Sequence, residues 1–351
     1  MTARLPSRAN LVKSAHYLVA EVLRIRAGET VVIYCDTESD ARLVNTVAKE
    51  VSVMKAMPVV VRMPANHDQN FEYPPPVRSL LKTADVVLEL GRGSILAYTS
   101  THREIMSAKR ARFMSLVNIN SDAFVSAVDG DSYEKILDLG RLIVNLSNHS
   151  QKIMITSRDG TKISASMNRR KAWQYKGIAR NPGEEASLAG QVWWVPDEKT
   201  INGELVVDGS VEMPHVVIPK TPIHIAVRRG RISSVNGGRE STEFSKYLKS
   251  FGDDSVYRIA HLTLGINSGI LAPSQDSAIT NERVFGSFVI GFGSQGEYGS
   301  RFRAPIHGDL VVLKPSLWLD GRQVEKDGRL VHSSLRKANK LLGITTSQHP
   351  S

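Results

Sequence analysis

A histidine and an aspartate stand two residues apart at the head of an apolar run, Ile306-His307-Gly308-Asp309-Leu310-Val311-Val312. Side chains of an extended strand alternate between its faces, so His307 and Asp309 point the same way and present an imidazole and a carboxylate together. A second apolar, strand-like run, Ala260-His261-Leu262-Thr263-Leu264-Gly265, carries a lone histidine. Two neutral imidazoles and one carboxylate from neighbouring strands make a ligand face with open coordination positions, the arrangement that suits non-haem Fe(II) and dioxygen. Taken singly, each piece has an ordinary reading, as a hydrogen-bonded His-x-Asp pair or a satisfied core histidine. Their occurrence together in one half of the chain carries the metal reading. Cys35 is the one cysteine; it fits a buried small hydrophobe, and any metal must use His and carboxylate ligands.

Other patterns compete for chemistry. Gly291-Phe292-Gly293-Ser294-Gln295-Gly296 matches the dinucleotide fingerprint and follows a strand, but Glu297-Tyr298-Gly299-Ser300 and the run to Pro305 offer no helix start to hold a pyrophosphate. A loop between two site strands is expected there. Gly91-Arg92-Gly93-Ser94 follows an apolar run, where open α/β sheets place ligands, although a plain turn has the same composition. Trp193-Trp194-Val195-Pro196-Asp197-Glu198 joins aromatic bulk to two carboxylates. It can wall a pocket for a flat ligand with Glu198 as acceptor, base or extra ligand, or it can be an inter-strand corner with solvated acids. No G-x-S-x-G elbow or H-E-x-x-H helix supports a serine hydrolase or a zincin.

The elements that must position these residues follow from periodicity. Residues 7–26 have the spacing of an amphipathic helix, with Leu11, Ala15, Leu18, Val19, Val22 and Leu23 on one stripe and Gly28 as its stop. Short β-branched runs at 30–35, 58–63, 85–90 and 113–117, with helical spacing at 40–54, predict a mostly parallel α/β sheet. A helix over 132–148 closes this half. From residue 152 the period shortens: strands are predicted at 152–157 and 161–166 around Asp159-Gly160, then at 203–208, 221–228, 231–235, 258–264, 283–293 and 308–313, with one helix at 241–250. The expectation is an α/β domain over 1–150 and a β-rich, mainly antiparallel, metal-binding domain over 151–351.

A chain of 351 residues with 41% hydrophobic and 23% charged residues has the balance of a water-soluble globular protein. No signal-type or membrane-spanning apolar stretch is seen, so a cytoplasmic location is expected. The formal charge is +10, but the clusters Lys109-Arg110-Ala111-Arg112, Arg228-Arg229-Gly230-Arg231 and 336–340 are short, scattered and without interleaved aromatics. They read as solvated faces, not a nucleic-acid surface, whose field favours a small anionic or phenolate-like substrate.

The stretches RRGRISSVNGG, KYLKSFGDDSVYRIAHLTLGIN, NERVFGSFVIGFG and APIHGDL, and more weakly PGEEASLAGQVWWVPDEKTINGELVVDGS, resemble the 2,5-dihydroxypyridine 5,6-dioxygenases, relatives of aminopeptidase T-like metalloenzymes. The resemblance implies an α/β domain followed by a β-rich one, and an extradiol-type ring-cleaving reaction on a hydroxylated pyridine or related aromatic ring. It places the iron ligands on His261, His307 and Asp309. The additional histidine of the two-metal peptidase relatives falls on Val289, and one of their acidic ligands on Glu198. The proton-transfer histidine of the dioxygenases falls in Leu96-Ala97-Tyr98-Thr99-Ser100-Thr101-His102, which leaves Tyr98 and His102 for that work. Arg283 and Glu198 are the residues expected to orient ring hydroxyls. A homo-oligomer is implied, with an aromatic or N-heteroaromatic substrate and dioxygen as partners. A metal-dependent hydrolase of the aminopeptidase-like kind is the alternative, and a binding protein that retains the fold is the third reading.

Overall fold

The computed structural model describes residues 8–67, 71–93, 95–96, 99–168, 170–295 and 302–336. Tyr98 lies outside them, as do Gly296 and all of the basic tail after Arg336. The chain forms two compact units, Met1–Tyr133 with Tyr175–Ala189, and Glu134–Gln174 with Gly190–Ser351.

In the first unit, β1 (Thr30–Asp36), β2 (Met57–Met63), β3 (Val86–Glu89) and β4 (Arg112–Ser115) are parallel, in the order β2-β1-β3-β4, and a fifth strand, Glu185–Ser187, is parallel to β4. The β-branched and apolar residues of β1, β3 and β4 are buried on both faces, as in a sheet covered by helices, whereas β2 is a half-exposed edge. Helix α1 (Arg8–Tyr17) continues into a wider turn at Leu18–Val22, closed by Leu23 N–H donating to Leu18 O at 2.9 Å. All six residues of its predicted stripe are buried. Helix α2 (Ala41–Val53) starts at Asp40, whose carboxylate accepts from the amides of Arg42 and Leu43, and it buries Leu43, Val44, Val47 and Val51 at helical spacing. Val32, Tyr34, Leu81, Val87, Leu96, Ile105 and Phe113 belong to the core of this unit.

The second unit contains two antiparallel sheets. In the eight-stranded one, strands such as Lys152–Thr156 and Ile223–Arg228 alternate buried and exposed residues, and the predicted Asp159-Gly160 hairpin pairs Thr156 with Lys162. The seven-stranded sheet runs in the order Val216–Val217, Ser210–Glu212, His307–Leu313, Ser287–Gly293, Ile259–Gly265, Gln191–Trp194, Trp173–Gln174. Every residue of Ile259–Gly265 and Ser287–Gly293 is buried, which explains the unbroken apolar runs in the sequence.

A second helix, Ala278–Asn281, joins the one expected at 241–250, and two larger features differ from the sequence expectation. The predicted strand over 283–293 starts at Ser287, because residues 283–286 form a turn in which Asn267 N–H donates to Arg283 O and Gly286 takes φ +69°. The chain also does not change units once near residue 150. It passes to the second unit at Glu134 and returns over Tyr175–Ala189 to add the fifth parallel strand.

Candidate metal centre

Register builds this site. In the seven-stranded sheet, His261 lies opposite Gly291, Gly291 lies opposite Asp309, and His307 lies opposite Gly293. His261 and Asp309 are thus on one row but two strands apart, roughly 10 Å between backbones. Gly291 keeps the space between them open: a Cβ there would stand 2.2 Å from His261 Nε2. An irregularity between Ile259 and His261 offsets the ladder just before the histidine, the kind of local break that re-aims a side chain.

The three side chains meet. His261 Nε2 is 3.4 Å from His307 Nε2 and 3.5 Å from Asp309 Oδ1, and His307 Nε2 is 3.5 Å from Asp309 Oδ2. Both rings are tied at the far nitrogen. His307 Nδ1–H donates to the Ser294 carbonyl at 2.6 Å, and His261 Nδ1 is 2.9 Å from Thr263 Oγ1. These bonds fix ring orientation and leave both Nε2 atoms facing the centre, the usual arrangement of metal-binding imidazoles. Asp309 is 3% exposed, and its Oδ1 has no hydrogen-bonding partner among the described residues. Two donors each about 2.1 Å from one ion, at tetrahedral to octahedral angles, stand about 3.0–3.4 Å apart. The spacing, the donor types and the orphaned buried oxygen therefore fit a small divalent cation.

Charge around the centre is unbalanced toward the negative. Glu212, Glu282 and Asp309 also bring ligand atoms within 4.8 Å of one another, and Arg283 pairs with Glu282 at 3.1 Å. Burial drives the His261 pKa down to about 4, against the pull of Asp309, so this ring is neutral. Burial also opposes charge on His307, but Asp309 and the Ser294 carbonyl outweigh it and raise that pKa. Asp309 is held low because His261, His307 and Arg283 overcome its burial, whereas burial and carboxylate neighbours push Glu212 and Glu282 up.

The remaining sequence candidates lie in other settings. Glu198 is in a short turn with a bidentate ion pair to Arg258, at 2.7 and 2.5 Å, and the Arg258 guanidinium lies over the Phe302 ring. Arg283 is buried and donates to Ile279 O and to Glu282. His102 belongs to the first unit; it is buried in helix α4 (Ser100–Ser107, the fourth after α3, Pro75–Thr83), packs on Phe113, and has Nε2 3.1 Å from Glu185 Oε1. The Gly91 loop has no free amides to offer an anion at Arg92 and Gly93, since both donate to Asp36 Oδ2. The dinucleotide-like glycines serve the ladder instead: Gly291 gives His261 its space, and Gly293 takes φ +78° where a Cβ would meet Ile306 O at 2.1 Å.

Thr263, Gln191, Glu212 and Glu282 carry no mark in the sequence as parts of the centre, and Trp193 carries one only as a pocket wall. Thr263 was accessible to a period-two argument from His261. Glu212 was not, because it ends a strand of three residues, Ser210–Glu212. The Trp193-Trp194 pair is in a strand, so the two rings face opposite ways: Trp193 lies 4.2 Å from the His261 ring and Trp194 stacks toward Phe288.

The sequence pattern of the 2,5-dihydroxypyridine 5,6-dioxygenase family matches residues 14–332. A curated protein of that name from Pseudomonas putida is 23% identical over 336 residues, covering 89% of this chain and 94% of its own. The solved structure of 2,5-dihydroxypyridine dioxygenase from Pseudomonas putida KT2440 is similar with a TM-score of 0.76 and 21% identity, over 93% of this chain and 98% of that one. Wild-type AmpT from Thermus thermophilus shares the fold with a TM-score of 0.63 at 12% identity, over 93% and 100% of the two chains.

Proposed function

Because the chain belongs to the 2,5-dihydroxypyridine 5,6-dioxygenase family, a family of ring-cleaving enzymes, we propose that His261, His307 and Asp309 hold one Fe(II) at which a hydroxylated pyridine is opened by dioxygen. The observation that carries this reading is the convergence of two Nε2 atoms and a carboxylate at 3.4–3.5 Å, with both Nδ1 atoms bonded away. When bound there, iron supplies the redox chemistry that couples dioxygen to a dihydroxypyridine.

The chain's own groups supply the rest. Thr263 and the Ser294 carbonyl hold the two imidazole planes. Asp309 contributes the negative charge that draws a cation and lowers the net charge of the loaded site. Gly291 leaves room between ligand strands, and the Trp193 ring beside His261 helps exclude water. Arg283, in its pair with Glu282, offsets part of the carboxylate charge that would otherwise repel a phenolate-like ring. Proton transfer belongs to His102 or Tyr98 in this reading; the variant, His102→Gln or Tyr98→Phe, that lowers kcat and alters its pH profile while retaining metal identifies the group.

The test is anaerobic purification, metal analysis and oxygen uptake with 2,5-dihydroxypyridine. One iron per chain and iron-dependent ring opening are the expected results. Two zinc or cobalt ions per chain with peptide hydrolysis would transfer the site to the hydrolase class. Among the described residues no helix is long and apolar enough to cross a membrane. Homo-oligomerisation in the cytoplasm belongs to the same proposal, and sedimentation of the purified protein tests the oligomer.

A further inference from the structure

We infer that Trp193 is a positioning residue for His261, anchored by a hydrogen-bonded chain that runs through Gln191 and Glu282 to Arg283. This rests on the reading of His261 as a metal ligand and assigns a second group, beside Thr263, that holds its ring plane.

Trp193 pairs opposite Thr263 in the neighbouring strand, so its indole projects on the face that carries both Thr263 and His261. The indole and imidazole centroids are 4.2 Å apart with 37° between their planes. The indole Nε1–H donates to Gln191 Oε1 at 3.3 Å, and Gln191 Nε2–H donates to Glu282 Oε2 at 2.7 Å. Arg283 donates to the same oxygen at 3.1 Å and to Ile279 O at 2.6 Å. The direction of the chain is fixed by its members, since indole and guanidinium donate, carboxylate accepts, and the amide does one of each.

This arrangement does more than fill space. Trp194, one residue on, is fully buried, and its Nε1 has no hydrogen-bonding partner among the described residues. Trp193 is tied at its polar edge and laid against a ligand ring. A turn of the His261 ring about its Cβ–Cγ bond is opposed by one hydrogen bond at Nδ1, to Thr263, and by the indole face that lies against the ring. Freed of the indole, the ring can turn and carry Nε2 away from His307 and Asp309. Loss of such an outer contact lowers metal affinity by about 10–100-fold.

Co(II) binding to the metal-free protein tests the assignment, with calorimetry for affinity and the visible Co(II) bands for ligand geometry. Trp193→Leu, folded as judged by circular dichroism, is expected to weaken Co(II) at least about tenfold and to shift those bands. Trp193→Phe, which keeps a ring but loses the anchor, should weaken it less. Unchanged affinity and bands in both variants would overturn the proposal. If Trp193→Leu does not fold, Trp193→Phe and Gln191→Leu decide by the same two readouts. His307→Ala is the control: wild-type Co(II) affinity there would sink the metal reading itself, whereas loss there with full retention in the Trp193 variants sinks the positioning role alone.

Discussion

At the carboxyl end of β1, Asp36 commits its oxygens to the amides of Glu38, Arg92 and Gly93 and to the Ser39 hydroxyl. In the seven-stranded sheet, Asp309 keeps one buried oxygen without a hydrogen-bonding partner among the described residues and faces two imidazoles. Both carboxylates are buried and both have lowered pKa values. The first gains its stability from local amides and is spent on holding a loop; the second gains it from groups that could equally bind a cation. Burial and pKa alone do not separate scaffold from site. What separates them is whether each donor's second atom is already used.

The comparison breaks first at the metal. Asp309→Ala is expected to abolish iron retention and cut ring-opening activity by roughly a thousandfold, several kcal/mol of lost electrostatic and template effect; oxygen uptake per chain measures it, and full activity would erase the distinction. A smaller effect concerns Glu89 at the end of β3, which is fully buried, accepts from Leu96 N–H, and is pushed up to about 7 by burial, with Glu185 adding to that and Ser115 and His102 opposing it. The folded chain then binds this proton more tightly than the unfolded one, so stability falls as pH rises from about 4.5 to 7, by about 3 kcal/mol at most. Asp36 and Asp40 are held low and titrate below that window. Glu89→Gln should remove the Glu89 share of this slope, leaving that of Glu282, Glu212 and Glu325, which burial also pushes up, and should exceed the wild type in stability at pH 8, as urea melts at pH 5 and 8 would report.

Gly291→Ala sharpens the contrast within the second unit, since its methyl must displace the His261 ring; about 10–100-fold weaker Co(II) binding is expected, with the fold retained. Asp36→Asn should do the reverse in the first unit, costing about 1–2 kcal/mol in thermal melts and leaving Co(II) affinity unchanged.

The convergence of His261, His307 and Asp309 was legible because period two and apolar flanks locate the buried strands that carry them, Ile259–Gly265 and His307–Leu313. The seam between His261 and Asp309 was not, because register across three strands is set by pairing and not by composition. The Trp193 anchor joins residues 191 and 282, a separation that no local pattern spans. The parallel sheet was legible from its strand and helix alternation, while its fifth strand, Glu185–Ser187, is too short to carry a pattern and sits among residues of antiparallel character.

That short strand has a consequence for biosynthesis. Until Ser187 has left the ribosome, β4 presents Phe113, Met114 and Ser115 as a bare edge, open to pairing with any extended segment nearby. A polypeptide stopped at residue 150 keeps that edge permanently. It is therefore expected to aggregate where one extended through Ala189 has a covered sheet, and the natural point of release into a finished first unit lies some forty residues beyond the visible change in composition.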